Sequence, residues 1–175
     1  MEQVVIAYYS RTGKTRAVAE RLAKLLSAEV EEIRETQSRK GVGGFLSGGW
    51  QAFRKRSSQL ASKHFTTGRT AVVLGMPVWA GGPPPAVRAY VQSVDLVGKD
   101  VFAFYTHDGG PGGIEQKLTA IVPGGLAGTL NLKRPAKDAD LDAKLTAFAE
   151  RIRALVGDRH ARPEMHDTHL GTSRA

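Results

Sequence analysis

The 175-residue chain contains no cysteine, which excludes disulfides, thiol catalysis and cysteine metal sites. It has no run of about 18 uninterrupted apolar residues, so we expect no membrane span. The chain enters a predicted strand directly after Met1-Glu2, which leaves no room for a signal peptide. These absences together favour a cytoplasmic protein, and the length favours one domain.

The most informative segment lies near the N-terminus, where a short apolar strand leads into a hydroxyl-rich turn and then an amphipathic helix. The turn, residues 10–15, reads Ser-Arg-Thr-Gly-Lys-Thr. The first N–H groups of a helix have no internal partner, and the helix dipole places partial positive charge there. The hydroxyls of Ser10, Thr12 and Thr15 add neutral donors, and Gly13 allows close approach of the backbone. The segment therefore predicts a phosphate monoester site, with a ligand-free helix cap as the alternative.

Two familiar phosphate-binding patterns are incomplete here. A Walker A loop requires a glycine five residues before Gly13, where Tyr8 stands. No G-x-G-x-x-G follows the first strand, so the Rossmann fingerprint is also missing. The pattern that remains, Ser-x-Thr-Gly-x-Thr between a strand and a helix, closely resembles the phosphate loop of the flavodoxin family, which binds the ribityl phosphate of FMN. By this resemblance the phosphate-binding candidates are Ser10, Arg11, Thr12, Gly13, Lys14 and Thr15.

Apolar strands and amphipathic helices alternate along the rest of the chain. Further strands are predicted over residues 29–33, 70–77, 100–106 and 125–132, and further helices over 83–94, 114–122 and 140–156. Strands that are nearly all apolar and separated by helices predict a parallel sheet covered on both faces. The flavodoxin resemblance implies an α/β three-layer sandwich with a five-stranded parallel sheet of order 2-1-3-4-5. Residues 1–156 would form this flavodoxin-like domain, and the polar residues 157–175 a disordered tail.

The turn after the third strand resembles the loop that packs against the isoalloxazine ring of FMN in flavodoxin-like proteins. It reads Gly-Met-Pro-Val-Trp-Ala-Gly-Gly over residues 75–82. Trp79 would supply an apolar wall, and the neighbouring backbone amides could bond the polar edge of the ring. A tryptophan that only anchors the loop is the alternative. The candidates here are Pro77, Val78, Trp79, Ala80 and Gly81.

The turn after the fourth strand is rich in glycine and would approach the flavin from the other side. Electron-carrier flavodoxins usually place a tyrosine on the ring here, whereas residues 106–113 include no aromatic side chain. This departure resembles flavodoxin-like reductases, including NAD(P)H-dependent FMN and quinone reductases. His107 is the catalytic candidate, because an imidazole could donate a proton or hydrogen bond to a reduced flavin or a quinone. A loop histidine without that role is the alternative. The cofactor-binding candidates are Thr106, His107, Asp108, Gly109 and Gly110.

Basic residues exceed acidic ones by 25 to 17, which gives a formal net charge of +8. The excess is concentrated in residues 34–69, a long insertion with one predicted helix from Phe45 to Leu60. This surface could steer association with an acidic redox partner, an anionic quinone environment, a pyridine nucleotide phosphate or nucleic acid, or it could be a solvated surface with no partner. No recognition helix or aromatic-interleaved basic motif is present, so nucleic acid binding is not expected. Because the positive charge would stabilise reduced flavin, we expect a potentiometric titration to give a less reducing final one-electron couple than in an acidic flavodoxin.

The sequence leaves three functions open. The leading interpretation is an FMN-binding flavodoxin-like redox protein that carries electrons. The second is an NAD(P)H-dependent FMN or quinone reductase, and the third is a flavin-free module that binds through its basic surface. The partner would accordingly be a redox protein, or a small quinone or NAD(P)H, and a homodimer stays open.

Overall fold

The computed structural model describes residues 3–34, 66 and 68–161. Its strands are β1 (Val4–Tyr8), β2 (Glu29–Glu32), β3 (Ala71–Pro77), β4 (Asp100–His107) and β5 (Gly128–Lys133). Its helices are α1 (Lys14–Leu26), α2 (Pro85–Ser93), α3 (Ile114–Thr119) and α4 (Leu141–Ala161), with a 3₁₀ turn at Pro135–Lys137. The helix predicted over 45–60 lies outside the described residues. Among the described helices, none combines the length and apolar character that crossing a bilayer requires.

The sheet of the described residues has five parallel strands in the order β2-β1-β3-β4-β5. This confirms the predicted α/β architecture and strand order. The chain leaves β1 toward one side of the sheet, and after β2 it returns to pair β3 on the other side of β1. The carboxyl ends of β1, β3 and β4 therefore lie side by side at one edge of the sheet, which is where ligands bind in open α/β folds.

Two apolar cores cover the two faces of the sheet. Successive strand residues point to opposite faces, so a strand covered on both sides must be apolar throughout. The first core joins the sheet to α1 and α4, and includes Ile6, Leu22, Val73, Phe104, Leu145 and Ile152. The second joins it to α2 and α3, and includes Val5, Leu74, Tyr90, Ala103 and Leu118. The helix layers thereby fix the sheet edge that carries the predicted loops.

Several element ends differ from their predicted positions. The last strand begins at Gly128 rather than at residue 125, because Gly124 and Gly125 adopt left-handed φ values of +77° and +79°. The last helix begins at Leu141 and continues past Val156, its predicted end, to Ala161. The residues after Val156 carry no apolar periodicity, which is the signal that predicted the rest of this helix.

Gly75 lies within β3 where there is no room for a side chain. A Cβ there would lie 2.3 Å from Phe104 Cζ and 3.0 Å from Tyr8 Cβ, and both neighbours are buried. Because the phenylalanine ring would have to move, we expect Gly75→Ala to lower the free energy of unfolding by about 1–3 kcal/mol. Urea denaturation measures this loss.

Gly157→Ala is the matched control for Gly75→Ala. It adds the same methyl group on α4, where a Cβ would meet no atom within 4 Å. Alanine is the better helix former, so this variant should gain about 0.5–1 kcal/mol. Equal stabilities of the two variants would contradict the packing described around Gly75.

Candidate functional site

The connection from β1 to α1 is a compact turn with an open helix N-terminus. Gly13 is the N-cap of α1 with φ +83°, and its N–H donates to Ser10 Oγ over 3.1 Å. Ser10 therefore holds the turn in shape, while Thr12 is exposed. The first turn of α1 contains no acidic residue. No carboxylate of that turn therefore neutralises the positive end of the helix dipole or repels an anionic ligand. Lys14 and Thr15, predicted as turn residues, lie within this first helical turn.

Two side-chain pairs join the start of α1 to the end of β4. The Thr15 and Thr106 hydroxyls are buried and share a hydrogen bond of 3.0 Å. At the surface, Lys14 Nζ lies 2.9 Å from Asp108 Oδ2. The hydrogen bond and charge of Lys14 lower the pKa of Asp108, and the charge of Arg134 acts in the same direction. The phosphate-loop candidates and the β4-loop candidates are therefore in direct contact.

The chain after β3 forms a tight two-residue reverse turn. Trp79 N–H donates to the Gly82 carbonyl and Gly82 N–H to the Trp79 carbonyl, both over 2.9 Å. The two central residues, Ala80 and Gly81, have φ values of +47° and +67°. A positive φ at both positions defines a type I′ turn. Alanine in this region carries strain of about 1–2 kcal/mol, so other contacts must hold the turn in place.

The side chain of Trp79 extends from this turn toward the predicted phosphate loop, where it meets Tyr9 and Arg11. The Tyr9 ring meets it edge-on with 5.5 Å between centroids. The Arg11 guanidinium carbon lies 6.0 Å from its ring centroid, within cation–π distance. Val78 N–H, beside Trp79, donates to the Thr106 carbonyl over 3.0 Å. The structure thus brings an aromatic surface, a cation and the turn predicted to bind an anion together at one edge of the sheet.

The β4 loop packs directly against the backbone of the Trp79 turn. Gly112 has φ +54°, and a Cβ there would lie 2.6 Å from Gly81 Cα. Lys117 Nζ, on α3, donates to the Gly81 carbonyl over 3.0 Å. A Cβ at Gly109 or Gly110 would meet no atom of the described residues within 4 Å, so that part of the chain leaves these two candidates uncovered beside the site. Sequence reasoning missed Lys117, since no local pattern marks it.

His107 ends β4 and is held by the neighbouring strand. Its Nε2 lies 2.6 Å from Asn131 Oδ1 on β5. Because an amide oxygen only accepts, Nε2 carries the proton in this pair. The His107 Nδ1 atom is buried and has no hydrogen-bond partner among the described residues. The catalytic role predicted for His107 stays a prediction. Asn131, like Lys117, is a residue of this region that the sequence did not indicate.

A buried phenol anchors α3 beneath these loops. Tyr105 OH donates to Glu115 Oε2 over 2.6 Å. Burial, together with this hydrogen bond, raises the pKa of Tyr105 to about 12. Ile114 and Leu118, on either side of Glu115, are fully buried. The short helix that carries Lys117 is therefore fixed to the sheet.

The fold and these loops define an α/β protein with an open helix N-terminus and a partly exposed tryptophan at the strand-order switch point. Residues 3–129 match the family model described as flavodoxin. Because this match covers most of the chain, the protein belongs to the flavodoxin family, as its sequence predicted.

Solved structures with the same fold include three flavodoxin or flavoprotein structures. A flavoprotein from Lactobacillus acidophilus, solved in complex with FMN, is 17% identical, with a TM-score of 0.60 over 82% of this chain and 98% of that one. Oxidised flavodoxin 2 from Bacillus cereus is 18% identical, with a TM-score of 0.55 over 87% and 99%. Two-electron reduced flavodoxin from Megasphaera elsdenii is 20% identical, with a TM-score of 0.52 over 84% and 98%. No curated protein matches the chain.

Proposed function

We propose that this protein binds FMN at the edge formed by the β1, β3 and β4 loops and carries electrons through it. The observation that carries the proposal is the convergence of three features in a flavodoxin family member. These are the open N-terminus of α1, the partly exposed Trp79 and the glycine-rich β4 loop. Family membership supports FMN as the cofactor, and the similar Lactobacillus acidophilus flavoprotein was solved with FMN.

The chemistry of the described residues fits such a ligand. A phosphate would meet the exposed turn at Thr12 and Gly13, where backbone N–H groups and the helix dipole favour an anion. A flat ring would meet Trp79. The N–H groups of Ala80 and Gly81 donate no hydrogen bond within the described residues, so they are available to ring acceptors. FMN would supply one- or two-electron transfer, while the protein sets binding, access and local charge.

Titration with FMN is the direct test of this proposal. We expect quenching of FMN fluorescence and a rise in melting temperature, because a ligand that binds only the folded state stabilises it. At a free FMN concentration of about 100 times Kd the gain is about 2.7 kcal/mol. Riboflavin, which lacks the phosphate, is the control and should bind more weakly. Absence of both quenching and stabilisation after reconstitution would reject the proposal in favour of a flavin-free binding module.

An NAD(P)H-dependent FMN or quinone reductase is the second candidate. Two observations favour it. Residues 106–113 include no aromatic side chain to cover the flavin, and His107 is held in place by Asn131 at the base of this loop. Stopped-flow mixing of the FMN-loaded protein with NADPH separates the two functions. Rapid loss of the visible flavin absorbance identifies a reductase, whereas a carrier is reduced by dithionite and not by NADPH.

A further inference from the structure

We propose that Lys117 is a positioning residue of this site. Its side chain holds the Trp79 turn (residues 79–82) against the β4 loop. The inference rests on the proposed function, because it assigns the turn a role in holding FMN. Lys117 would not touch the reacting atoms. It would act by fixing the backbone that carries Trp79.

Lys117 contacts the Trp79 turn through both its ammonium group and its aliphatic stem. Its Nζ donates to the Gly81 carbonyl over 3.0 Å. A charged donor makes a stronger hydrogen bond than a neutral one. A Cβ at Gly82 would lie 3.1 Å from Lys117 Cδ, so the stem runs along the turn at close range. One side chain therefore restrains two consecutive turn residues.

The Trp79 turn needs such a restraint because its conformation is strained. Ala80 has φ +47°, which an alanine rarely adopts. Within the turn itself, the reciprocal Trp79–Gly82 backbone hydrogen bonds close the loop. Holding the Gly81 carbonyl from outside opposes relaxation of Ala80 to an ordinary φ. Such a relaxation would re-aim the Ala80 and Gly81 N–H groups and shift Trp79.

The segment that holds the Trp79 turn, α3 and the loop before it, is itself fixed to the sheet. Lys117 lies on α3, whose Ile114 and Leu118 are fully buried and whose Glu115 accepts a hydrogen bond from Tyr105. From the loop before α3, Gly112 packs against Gly81 so closely that a Cβ would lie 2.6 Å from the Gly81 Cα. The Trp79 turn is thus held between a backbone contact and an ammonium contact, both supplied by one fixed segment.

The test compares Lys117→Met with Lys117→Arg, which keeps the charged donor, and with Lys99→Met. Lys99 is the matched control, since its Nζ also donates to a backbone carbonyl, that of Arg69 over 2.8 Å, at the opposite edge of the sheet. The first readout is amide hydrogen exchange in the FMN-free protein. We expect the Gly82 amide to exchange roughly tenfold faster in Lys117→Met, at the wild-type rate in Lys99→Met, and near that rate in Lys117→Arg.

The second readout is the FMN dissociation constant of the same variants. Lys117→Met should raise it roughly tenfold, about the effect of losing one charge-assisted hydrogen bond, whereas Lys99→Met should stay within about twofold. A wild-type exchange rate of the Gly82 amide in Lys117→Met would show that Lys117 does not restrain the Trp79 turn. Faster exchange with an unchanged FMN dissociation constant would show that this restraint does not position FMN. Failure of the wild-type protein to bind FMN would instead reject the proposed function, while the exchange measurement still decides whether Lys117 restrains the Trp79 turn.

Discussion

Replacing Gly13 with alanine is expected to weaken FMN binding roughly tenfold and to lower the free energy of unfolding by about 1–2 kcal/mol. Gly13 has φ +83°, and a Cβ there would meet no atom within 4 Å in the part of the chain that the structure describes. The cost is therefore backbone strain and not a clash. Relief of that strain would rotate the peptide groups at the start of α1, and these are the N–H groups that a phosphate needs.

Gly68→Ala is the matched control for the Gly13 prediction. Gly68 has φ +73° and equally open surroundings, but it precedes β3 at the opposite edge of the sheet. It should show a similar loss of stability in urea denaturation and keep its FMN affinity within about twofold. Riboflavin binding should be nearly unaffected by Gly13→Ala, because riboflavin has no phosphate. A Gly13→Ala protein with wild-type FMN affinity would contradict the role assigned to this turn.

The architecture could be predicted because its signals are local and repeated. All five residues of β1 are buried, and the uninterrupted apolar run Val4–Tyr8 predicts such a buried strand. The turn proposed to hold the phosphate is equally apparent in the sequence, since a strand, three hydroxyl residues and Gly13 follow one another within residues 4–15. An anion site at a helix N-terminus depends mainly on consecutive residues. Its position could therefore be predicted without knowing the rest of the fold.

The contacts that shape the site were not predictable in the same way. Lys117 bonds a carbonyl 36 residues away and His107 bonds Asn131 24 residues away, so neither pair follows a spacing that a sequence pattern records. The pairing of Thr15 with Thr106 spans 91 residues. Thr15 was predicted to offer its hydroxyl to a phosphate and Thr106 to belong to the loop beside the flavin, and in the structure the two hydroxyls also bond each other. Which partner a hydroxyl takes depends on how the loops meet, and only the folded chain shows that.

A charge reversal at Lys14 should weaken FMN binding roughly tenfold or more without unfolding the protein. Lys14 is the first residue of α1, beside the turn that would hold the phosphate, and it is paired with Asp108. Lys14→Glu would leave two neighbouring carboxylates to oppose a phosphate dianion. A carboxylate at a helix N-terminus is itself favourable, and an exposed ion pair contributes little to stability. The loss should therefore appear in the affinity and not in the free energy of unfolding.

Lys24→Glu separates a local effect at Lys14 from an effect of net charge. Lys24 lies in the last turn of the same helix, where a negative charge opposes the dipole and costs about 0.3–1 kcal/mol. This variant should lose stability and keep its FMN affinity, the reverse of Lys14→Glu. Urea denaturation and FMN titration of both proteins measure the two quantities. Equal losses of affinity would show that only net charge matters.

The dependence of the FMN affinity on salt and on pH tests the Lys14 prediction further. Added salt should narrow the difference in affinity between wild type and Lys14→Glu, because it screens the exposed charges. The pKa of Asp108 is lowered by Lys14, so Asp108 stays ionised to a lower pH than a free aspartate, and its ion pair with Lys14 is lost as the pH falls through that lowered value. A phosphate monoester dianion is protonated to the monoanion near pH 6. The difference in affinity should therefore be largest above about pH 6 and shrink below it, and an affinity difference independent of both salt and pH would contradict an electrostatic role for Lys14.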